Sequence, residues 1–309
     1  MKVQRNISLK KYTTFQIGGP ANYFLAASSK EELVEAIEFA KSRGSSPLIL
    51  GGGSNLLISD KGYGGIVVKV ENCWLEIKGG EITAGAGVKL SALVKKAVEN
   101  SLSGFEWASG IPGTLGGAVR GNAGAFEGEM ADNVEKVEIY DIKRGKTEFL
   151  SNKECQFGYR TSVFKKNPNL VVLSAKLALE EGDKEKIKEK VENYLNYRRE
   201  KHPKEPSAGS VFKNVRVSPP EFQSLIKKFP ELKQFQGRED IPAAFLIDRC
   251  GLKGKEVGSA QISELHPNFI INLNGAEAKD VLKLIELTKA KIKEKFGIEL
   301  EEEIQYLGF

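Results

Sequence analysis

Cysteine and histidine are scarce in this chain of 309 residues, which has three of the first and two of the second. Cys73, Cys155 and Cys250 are far apart and include no Cys-x-x-Cys pair, so we expect neither a disulfide framework nor a zinc site. No apolar run is long enough to cross a bilayer, and the basic N-terminus lacks the apolar region of a secretory signal. These absences predict a cytoplasmic protein with no membrane partner and no metal.

An excess of one charge is also lacking. The 46 basic and 41 acidic residues leave a formal net charge of +5, and they are interspersed as in Lys/Glu-rich helix surfaces. This pattern argues against a nucleic-acid partner and leaves small anionic ligands open. A hydrophobic content of 40% over this length predicts a large core and two or three domains.

Apolar periodicity and capping residues predict an α+β chain. Helices are expected at 28–44, 89–100, 185–201, 220–229 and 275–297. Strands are expected at 47–50, 66–70, 169–182, 269–273 and 298–309, with hairpins that turn at 79–80 and 144–145.

The segment LILGGGSNLLISD, residues 48–60, places three consecutive glycines between two apolar runs. No helix is predicted after them, and neither GxGxxG nor GxxxxGK[ST] is present, which excludes the Rossmann and Walker phosphate loops. Consecutive glycines at positive φ would instead turn their N–H groups to one side as an anion nest, with Ser54 and Asn55 as further donors. A nest for a diphosphate and a simple Gly-rich turn are both compatible with this stretch.

A second Gly-rich segment, residues 109–130, has seven glycines in 22 positions and few charges. Glycine loses more backbone entropy on folding than any other residue, so such density suits a backbone that must approach something closely. We interpret the segment as a second ligand-contacting loop.

Six short motifs follow one another along nearly the whole chain: LGGGSNLLISD, GIPGTLGGAVRGNAGAF, FGYRTSVF, AGSVFKN, LIDRCGLKG and GIELEEEIQYLG. In this order they resemble the UDP-N-acetylenolpyruvoylglucosamine reductase family. The resemblance implies an α+β fold in which residues 1–65 and 66–200 are the two subdomains of an FAD-binding fold of the vanillyl-alcohol oxidase/p-cresol methylhydroxylase type. Residues 201–309 would be a C-terminal α+β substrate-binding domain.

The resemblance also implies the family's reaction, in which NADPH reduces FAD and a UDP-linked enolpyruvyl ether becomes UDP-N-acetylmuramate for peptidoglycan. Both Gly-rich segments would line the FAD. The residues implied to bind it are Gly51, Gly52, Gly53, Ser54, Asn55, Ser109, Gly110, Pro112, Gly113, Thr114, Gly116 and Gly117. Both histidines lie outside the first 180 residues, so we expect non-covalent FAD, with Cys155 the one other candidate for attachment.

Three residues match the family's catalytic positions. Ser210 would donate the proton, Arg160 would hold the carboxylate of the enolpyruvyl group, and Glu303 would act beside Arg160 on the carbanion. The residues alone favour a structural role for both: Ser210 as a serine bonded to local backbone, and Arg160 as part of a surface ion pair. Strand alternation excludes only Glu302 from the acidic run, so the choice of Glu303 over Glu301 comes from the family spacing.

Asn214 and Lys201 resemble the family's UDP-diphosphate ligands, and His266 or the neighbouring Asn268 would line the same site. Only 49 residues separate Arg160 from Ser210, and this short spacing indicates the form of the family that lacks a substrate-covering tyrosine loop. Two other functions are compatible with parts of the sequence: an FAD-dependent oxidase of the same fold, and a nucleotide-sugar-binding protein without catalysis.

Overall fold

The computed structural model describes residues 2–309, which divide into two compact units. Unit 1 comprises residues 2–8, 20–53 and 63–200, and unit 2 comprises residues 9–19, 54–62 and 201–309. Each unit has its own hydrophobic core. The three-domain division of the sequence analysis stays a prediction. Its boundary at 200/201 coincides with a change of unit, and unit 2 also takes in two short segments from the N-terminal part of the chain.

The described residues form short and long strands, and helices of one to five turns. The strands are β1 (Gln4–Ser8), β2 (Pro20–Ala27), β3 (Leu48–Leu50), β4 (Leu56–Ile58), β5 (Tyr63–Val70), β6 (Leu75–Lys78), β7 (Glu81–Gly85), β8 (Leu102–Ser103), β9 (Gly124–Ala125), β10 (Gly128–Glu129), β11 (Val134–Asp141), β12 (Lys146–Ser151), β13 (Leu170–Ala178), β14 (Glu180–Glu181), β15 (Ser207–Ser210), β16 (Glu256–Val257), β17 (Ala260–Ile262), β18 (Phe269–Asn272) and β19 (Gln305–Leu307). The helices are α1 (Lys30–Ser42), α2 (Leu90–Glu99), α3 (Leu115–Gly121), α4 (Met130–Asn133), α5 (Val163–Lys166), α6 (Lys184–Lys201), α7 (Pro219–Lys228), α8 (Ala243–Arg249) and α9 (Ala278–Phe296).

Unit 1 contains a four-stranded sheet of order β1-β2-β5-β3, in which β2, β5 and β3 run parallel. Helix α1 connects β2 to β3 and begins where the sequence predicts, because Ser29 Oγ accepts a hydrogen bond from the Glu32 amide at 3.2 Å. Leu33, Ile37 and Ala40, which recur on one face of this helix, are fully buried. Strand β3 lies at the edge of this sheet, and the triple glycine begins directly after its carboxyl end.

A five-stranded antiparallel sheet of order β12-β11-β13-β7-β6 completes the core of unit 1. It contains both predicted hairpins, β6–β7 and β11–β12, and the predicted long strand β13, which lies at its centre. These elements are confirmed, as expected where a turn and two alternating runs are adjacent in the chain.

Part of the second Gly-rich segment is a helix, α3, which corrects the interpretation of 109–130 as a loop. A Cβ atom added at Gly116 would lie 2.7 Å from Ala86 Cβ, so the missing side chain lets α3 approach the neighbouring chain closely. The glycine at this position therefore serves helix packing, a close approach that no residue with a Cβ permits.

Unit 2 contains an antiparallel sheet of order β15-β18-β17-β16. Helix α9 contacts this sheet. It buries one face, which includes Val281, Ile285, Thr288, Ile292 and Phe296. The unit also contains the parallel pair β4–β19, which joins residues following the triple glycine to the end of the chain.

The predicted strand at 298–309 is confirmed only at β19. Before it, residues 301–304 are irregular, apart from an isolated bridge between Glu302 and Phe212. This segment is held by hydrogen bonds to distant parts of the chain, which the local pattern does not encode. Among residues 2–309, no helix combines the length and the apolar character that a membrane crossing requires.

Candidate active site

The triple glycine lies in a turn between β3 and β4, so the predicted absence of a following helix is confirmed. Within this turn only Gly53 has a positive φ, of 63°. The prediction that consecutive glycines take positive φ is therefore wrong for Gly51 and Gly52. Those two glycines are explained instead by what lies against them.

Gly51 and Gly52 pack directly on the second Gly-rich segment. A Cβ atom added at Gly52 would lie 2.7 Å from Gly113 Cα, and one added at Gly51 would lie 2.5 Å from Thr114 Oγ1. Real Cβ atoms essentially never lie this close to a neighbouring atom, so a side chain at either position would force its neighbour to shift. The glycines therefore bring together, within unit 1, the two segments that the sequence analysis assigns to FAD.

Two buried hydroxyl groups of the second segment have no hydrogen-bond partner among residues 2–309. They are Ser109 Oγ and Thr114 Oγ1, in side chains that are 1% and 5% exposed. Buried polar groups in proteins are almost always satisfied, so such orphan groups indicate a ligand or water that completes them. FAD, which is rich in hydrogen-bonding groups, fits both the paired glycine turns and these hydroxyls.

Two long cationic side chains that the sequence analysis missed hold this arrangement. Lys69 Nζ donates a hydrogen bond to Gly51 O at 2.7 Å, and burial lowers the pKa of the Lys69 ammonium. Arg198 of α6 donates from Nε to Ser109 O at 2.8 Å. The sequence does contain an indication for Lys69, because a lysine within the apolar run IVVKV is unusual for a buried parallel strand. Nothing local in the Lys/Glu-rich α6 distinguishes Arg198.

Arg160, the predicted carboxylate-binding residue, lies in unit 1 with the glycine segments. Its Nη2 donates to Gly124 O at 2.8 Å, and Lys165 Nζ donates to Arg160 O at 2.9 Å. Asn122, fully buried after α3, donates from Nδ2 to Gly158 O and so holds the same loop. Arg160 itself has a φ of 55°, a conformation that non-glycine residues adopt mainly where the surroundings enforce it.

Ser210, the predicted proton donor, ends β15 in unit 2 and pairs with Phe269 of β18. The register shifts between Ser207 and Ser210, which marks a β-bulge. Gly209 within the bulge has a φ of 76° with open space beside its Cα, so the left-handed backbone, and not packing, requires a glycine here. Bulges of this kind redirect the next side chain and are frequent beside active sites.

Glu303 lies against the residue that follows Ser210. Its amide donates to Val211 O at 2.7 Å, and its carbonyl accepts a hydrogen bond from Asn55 Nδ2 at 3.0 Å. The structure therefore brings two of the three predicted catalytic residues, Ser210 and Glu303, to adjacent chain segments of unit 2. The approach of Arg160 to them stays a prediction.

The other two glutamates of the acidic run are held by lysines. Glu301 pairs with Lys213, and Glu302 Oε1 lies 2.9 Å from Lys289 Nζ. Both pairs are partly exposed and contribute little stability individually. Glu301 and Glu302 therefore serve as surface carboxylates paired with lysines.

The predicted substrate residues lie in unit 2. Asn214 Nδ2 donates to Asp240 Oδ2 at 2.9 Å, and Asn214 Oδ1 accepts from the Ala243 amide at 3.3 Å, so this side chain also holds the start of α8. Lys201 is exposed at the end of α6. The contact of Asn214 and Lys201 with substrate stays a prediction.

His266 lies in the turn before β18. Its Nδ1 is buried with no hydrogen-bond partner among the described residues, and burial is the main cause that lowers its pKa. Its ring lies 5.4 Å from that of His202 and 4.7 Å from that of Phe269, measured between centroids. A neutral imidazole with a spare nitrogen suits a ligand contact, which stays a prediction.

Cys155 is fully buried, and burial raises the pKa of its thiol to about 12. A thiol of this kind supplies almost no thiolate at neutral pH, and thiolate is the reactive form. The geometry therefore argues against flavin attachment through Cys155. Within the described residues, no three His, Cys, Asp or Glu side chains converge as metal ligands would.

Both the N-terminal and the C-terminal part of the chain match known protein families. A family model described as "FAD binding domain" matches residues 21–151, and one described as "UDP-N-acetylenolpyruvoylglucosamine reductase, C-terminal domain" matches residues 201–307. A UDP-N-acetylenolpyruvoylglucosamine reductase of Caldanaerobacter subterraneus subsp. tengcongensis is 42% identical over 99% of this chain and 94% of its own length. The chain belongs to the UDP-N-acetylenolpyruvoylglucosamine reductase family.

Further relatives agree with this assignment. A UDP-N-acetylenolpyruvoylglucosamine reductase of Bacillus subtilis is 37% identical over 99% of this chain and 94% of its own. The crystal structure of a UDP-N-acetylenolpyruvylglucosamine reductase from Thermus caldophilus aligns over 100% of both chains with a TM-score of 0.80 and 37% identity.

Membership of the UDP-N-acetylenolpyruvoylglucosamine reductase family confirms the predicted family, the α+β class and the FAD cofactor. The chain is an FAD-containing oxidoreductase. The match at 201–307 distinguishes it from the alternative of an FAD-dependent oxidase, because that segment is described by the reductase family itself. The roles of individual residues are taken up as proposals below.

Proposed function

We propose that this chain reduces the enolpyruvyl group of UDP-N-acetylglucosamine enolpyruvate, with NADPH as the source of electrons, to form UDP-N-acetylmuramate for peptidoglycan. We further propose that it does so in the cytoplasm. Family membership supports the reaction. The observation that carries the residue assignment is the adjacency of Ser210 and Glu303, whose segments are joined by the 2.7 Å hydrogen bond from the Glu303 amide to Val211 O.

The reaction adds a hydride and a proton across a carbon–carbon double bond. When bound, FAD would supply the hydride transfer, with NADPH as the source of electrons and the terminal carbon of the enolpyruvyl group as the acceptor. The electron pair of the double bond is then left on the carbon that bears the carboxylate. A proton must reach that carbon, and positive charge near the carboxylate must stabilise the intermediate until it does.

Ser210 Oγ–H supplies this proton: its O–H bond breaks, a C–H bond forms, and water returns a proton to the oxygen. A hydroxyl is a weak acid, so it protonates only a strongly basic carbanion held in contact. The bulge at Gly209 supports this role, since it sets the direction of the hydroxyl independently of the pleat of β15.

Arg160 binds the carboxylate of the enolpyruvyl group through its guanidinium, whose planar array of donors suits a carboxylate. The hydrogen bond from its Nη2 to Gly124 O and the strained backbone at this position support a pre-organised side chain. Glu303 completes the polar surroundings of the carbanion. Asn214, Lys201 and His266 bind the UDP portion.

The flavin absorbance band distinguishes the two halves of the reaction. Under anaerobic conditions, NADPH should bleach the band, and UDP-N-acetylglucosamine enolpyruvate should restore it. Bleaching without recolouring would keep the flavoprotein and refute the muramate reaction. If NADPH cannot bleach the band, the proposal that NADPH is the reductant is refuted.

Substitutions at the same sites test the residue roles. Ser210→Ala should leave bleaching by NADPH within about twofold of wild type and slow recolouring at least about 100-fold, the usual range for a lost general acid. Glu303→Gln should show the same asymmetry between the two half-reactions. Glu301→Gln is the matched control, since Glu301 is a surface carboxylate paired with Lys213. If Glu301→Gln slows recolouring and Glu303→Gln does not, the choice of Glu303 is wrong.

A further inference from the structure

We propose that Asn55 is a positioning residue for Glu303, in addition to any contact that the GGGSN turn makes with FAD. The resemblance assigns Asn55 to the FAD diphosphate. In the structure its side-chain amide instead donates to the backbone carbonyl of Glu303, 248 residues further along the chain, at 3.0 Å. This inference rests on the catalytic role of Glu303 in the proposed function.

Asn55 binds the Glu303 segment from its side chain and from its backbone. Its own carbonyl accepts a hydrogen bond from the Gln305 amide at 3.0 Å, directly before the parallel ladder in which Leu56 lies opposite Gln305. The Glu303 segment is thus aligned with Asn55 at two successive points. The side-chain bond is the last contact before the regular pairing of β4 with β19 begins.

The side-chain bond matters because Glu303 lies outside that ladder. Residues 301–304 form no strand, so no regular pleat sets the direction of the Glu303 side chain. The peptide plane before its Cα is held by the bond from the Glu303 amide to Val211 O. The plane after it is held by the bond from Asn55 Nδ2 to Glu303 O at 3.0 Å, with a longer bond of 3.5 Å from the Ile304 amide to Val211 O. Two planar peptide groups held on either side of one Cα restrict its φ and ψ, and hence the direction of Cβ.

Loss of the Asn55 amide would leave the second plane with only the longer bond from the Ile304 amide to Val211 O, at 3.5 Å. The fold of unit 2 would keep the β4–β19 pairing and the bond to Val211, while the Glu303 carboxylate would gain rotational freedom. Misplacement of a reacting group by about 1 Å can cost about 100-fold in rate. The effect should therefore appear in the step that uses Glu303 and not in the reduction of flavin by NADPH.

The test uses the full-length holoenzyme and the variants Asn55→Ala and Asn55→Ser, so that one can be measured if the other fails to fold. With FAD at saturating concentration, we expect recolouring by substrate to be slowed about 10- to 100-fold more than bleaching by NADPH. Asn22→Ala is the matched control. Asn22 Nδ2 donates a similar hydrogen bond to Gly64 O at 2.9 Å at an exposed position. Neither residue is among the proposed site residues, so loss of this bond should change neither half-reaction.

The double variant Asn55→Ala/Glu303→Gln tests whether Asn55 acts through Glu303. If it does, the double variant recolours no more slowly than Glu303→Gln alone, because the lost alignment concerns a carboxylate that is already absent. Multiplying effects, or loss of FAD with equal slowing of both half-reactions, would overturn this inference and leave the proposed function standing. Normal recolouring in Glu303→Gln would refute the catalytic role of Glu303 and, with it, the inference.

Discussion

Removal of the Thr114 hydroxyl should stabilise the apoprotein and weaken its binding of FAD. Thr114→Val replaces Oγ1 by a methyl group of nearly the same size, at a side chain that is 5% exposed. Because Oγ1 has no partner among the described residues, the substitution removes a buried polar group whose burial costs about 1–3 kcal/mol and breaks no hydrogen bond within the protein. The apoprotein should become more stable, by about 1 kcal/mol.

FAD binding should respond in the other direction. If the hydroxyl is completed by the cofactor, its loss costs about 1 kcal/mol of binding free energy, which is roughly a fivefold increase in the Kd for FAD. The apoprotein is prepared by removing the flavin, its free energy of unfolding is measured by urea titration, and FAD affinity is measured by the quenching of flavin fluorescence. Gly51 offers no side chain against the new methyl group, so steric exclusion is not expected.

Thr288→Val is the matched control for this substitution. Thr288 is 1% exposed, and its hydroxyl donates to Leu284 O at 2.7 Å within α9. Its replacement should lower stability by about 0.5–1.5 kcal/mol and leave FAD affinity unchanged. If Thr114→Val destabilises the apoprotein as much as Thr288→Val does and keeps the wild-type Kd for FAD, the reasoning from the orphan hydroxyl is refuted.

Three more outcomes are expected from the same part of unit 1. Gly52→Val should cost about 1–3 kcal/mol of stability by overpacking against the backbone of Gly113 and should reduce FAD retention; wild-type flavin content after gel filtration would show that the turns separate without harm. Lys69→Met should raise the Kd for FAD about tenfold, because Gly51 loses a charged donor, and an unchanged titration curve would contradict this. Acid denaturation should release all flavin from the chain, since Cys155 is buried with a thiol pKa of about 12, whereas flavin that migrates with the denatured chain would disprove non-covalent binding.

Elements governed by neighbouring residues were predictable from the sequence. The start of α1 depends on Ser29 and on an amide three residues away, and the two hairpins depend on turns between adjacent alternating runs. In each case the interacting groups lie within a few positions of one another, so propensity and pattern contain the necessary information.

Elements governed by contacts between distant parts of the chain were not predictable from the sequence. Each glycine in a helix costs about 1 kcal/mol relative to alanine, and α3 contains Gly116, Gly117 and Gly121, so local propensity opposes the helix that the structure contains. Close packing of Gly116 on Ala86 favours it instead. In the same way, Lys69 and Arg198 gain their roles only through carbonyls that folding brings to them.

The sequence by itself determined the fold class, the family and the cofactor, because motifs such as GGGSN and AGSVFKN place their residues side by side in the chain. It also named Ser210 and Glu303 as catalytic candidates by resemblance. Only the tertiary structure decided that their segments are adjacent, that Asn55 holds the carbonyl of Glu303, and that Gly51 and Gly52 bring two remote turns into contact. Hydrogen bonds and packing act over a few ångströms in space and are independent of separation along the chain, so these contacts have no signature in a local pattern.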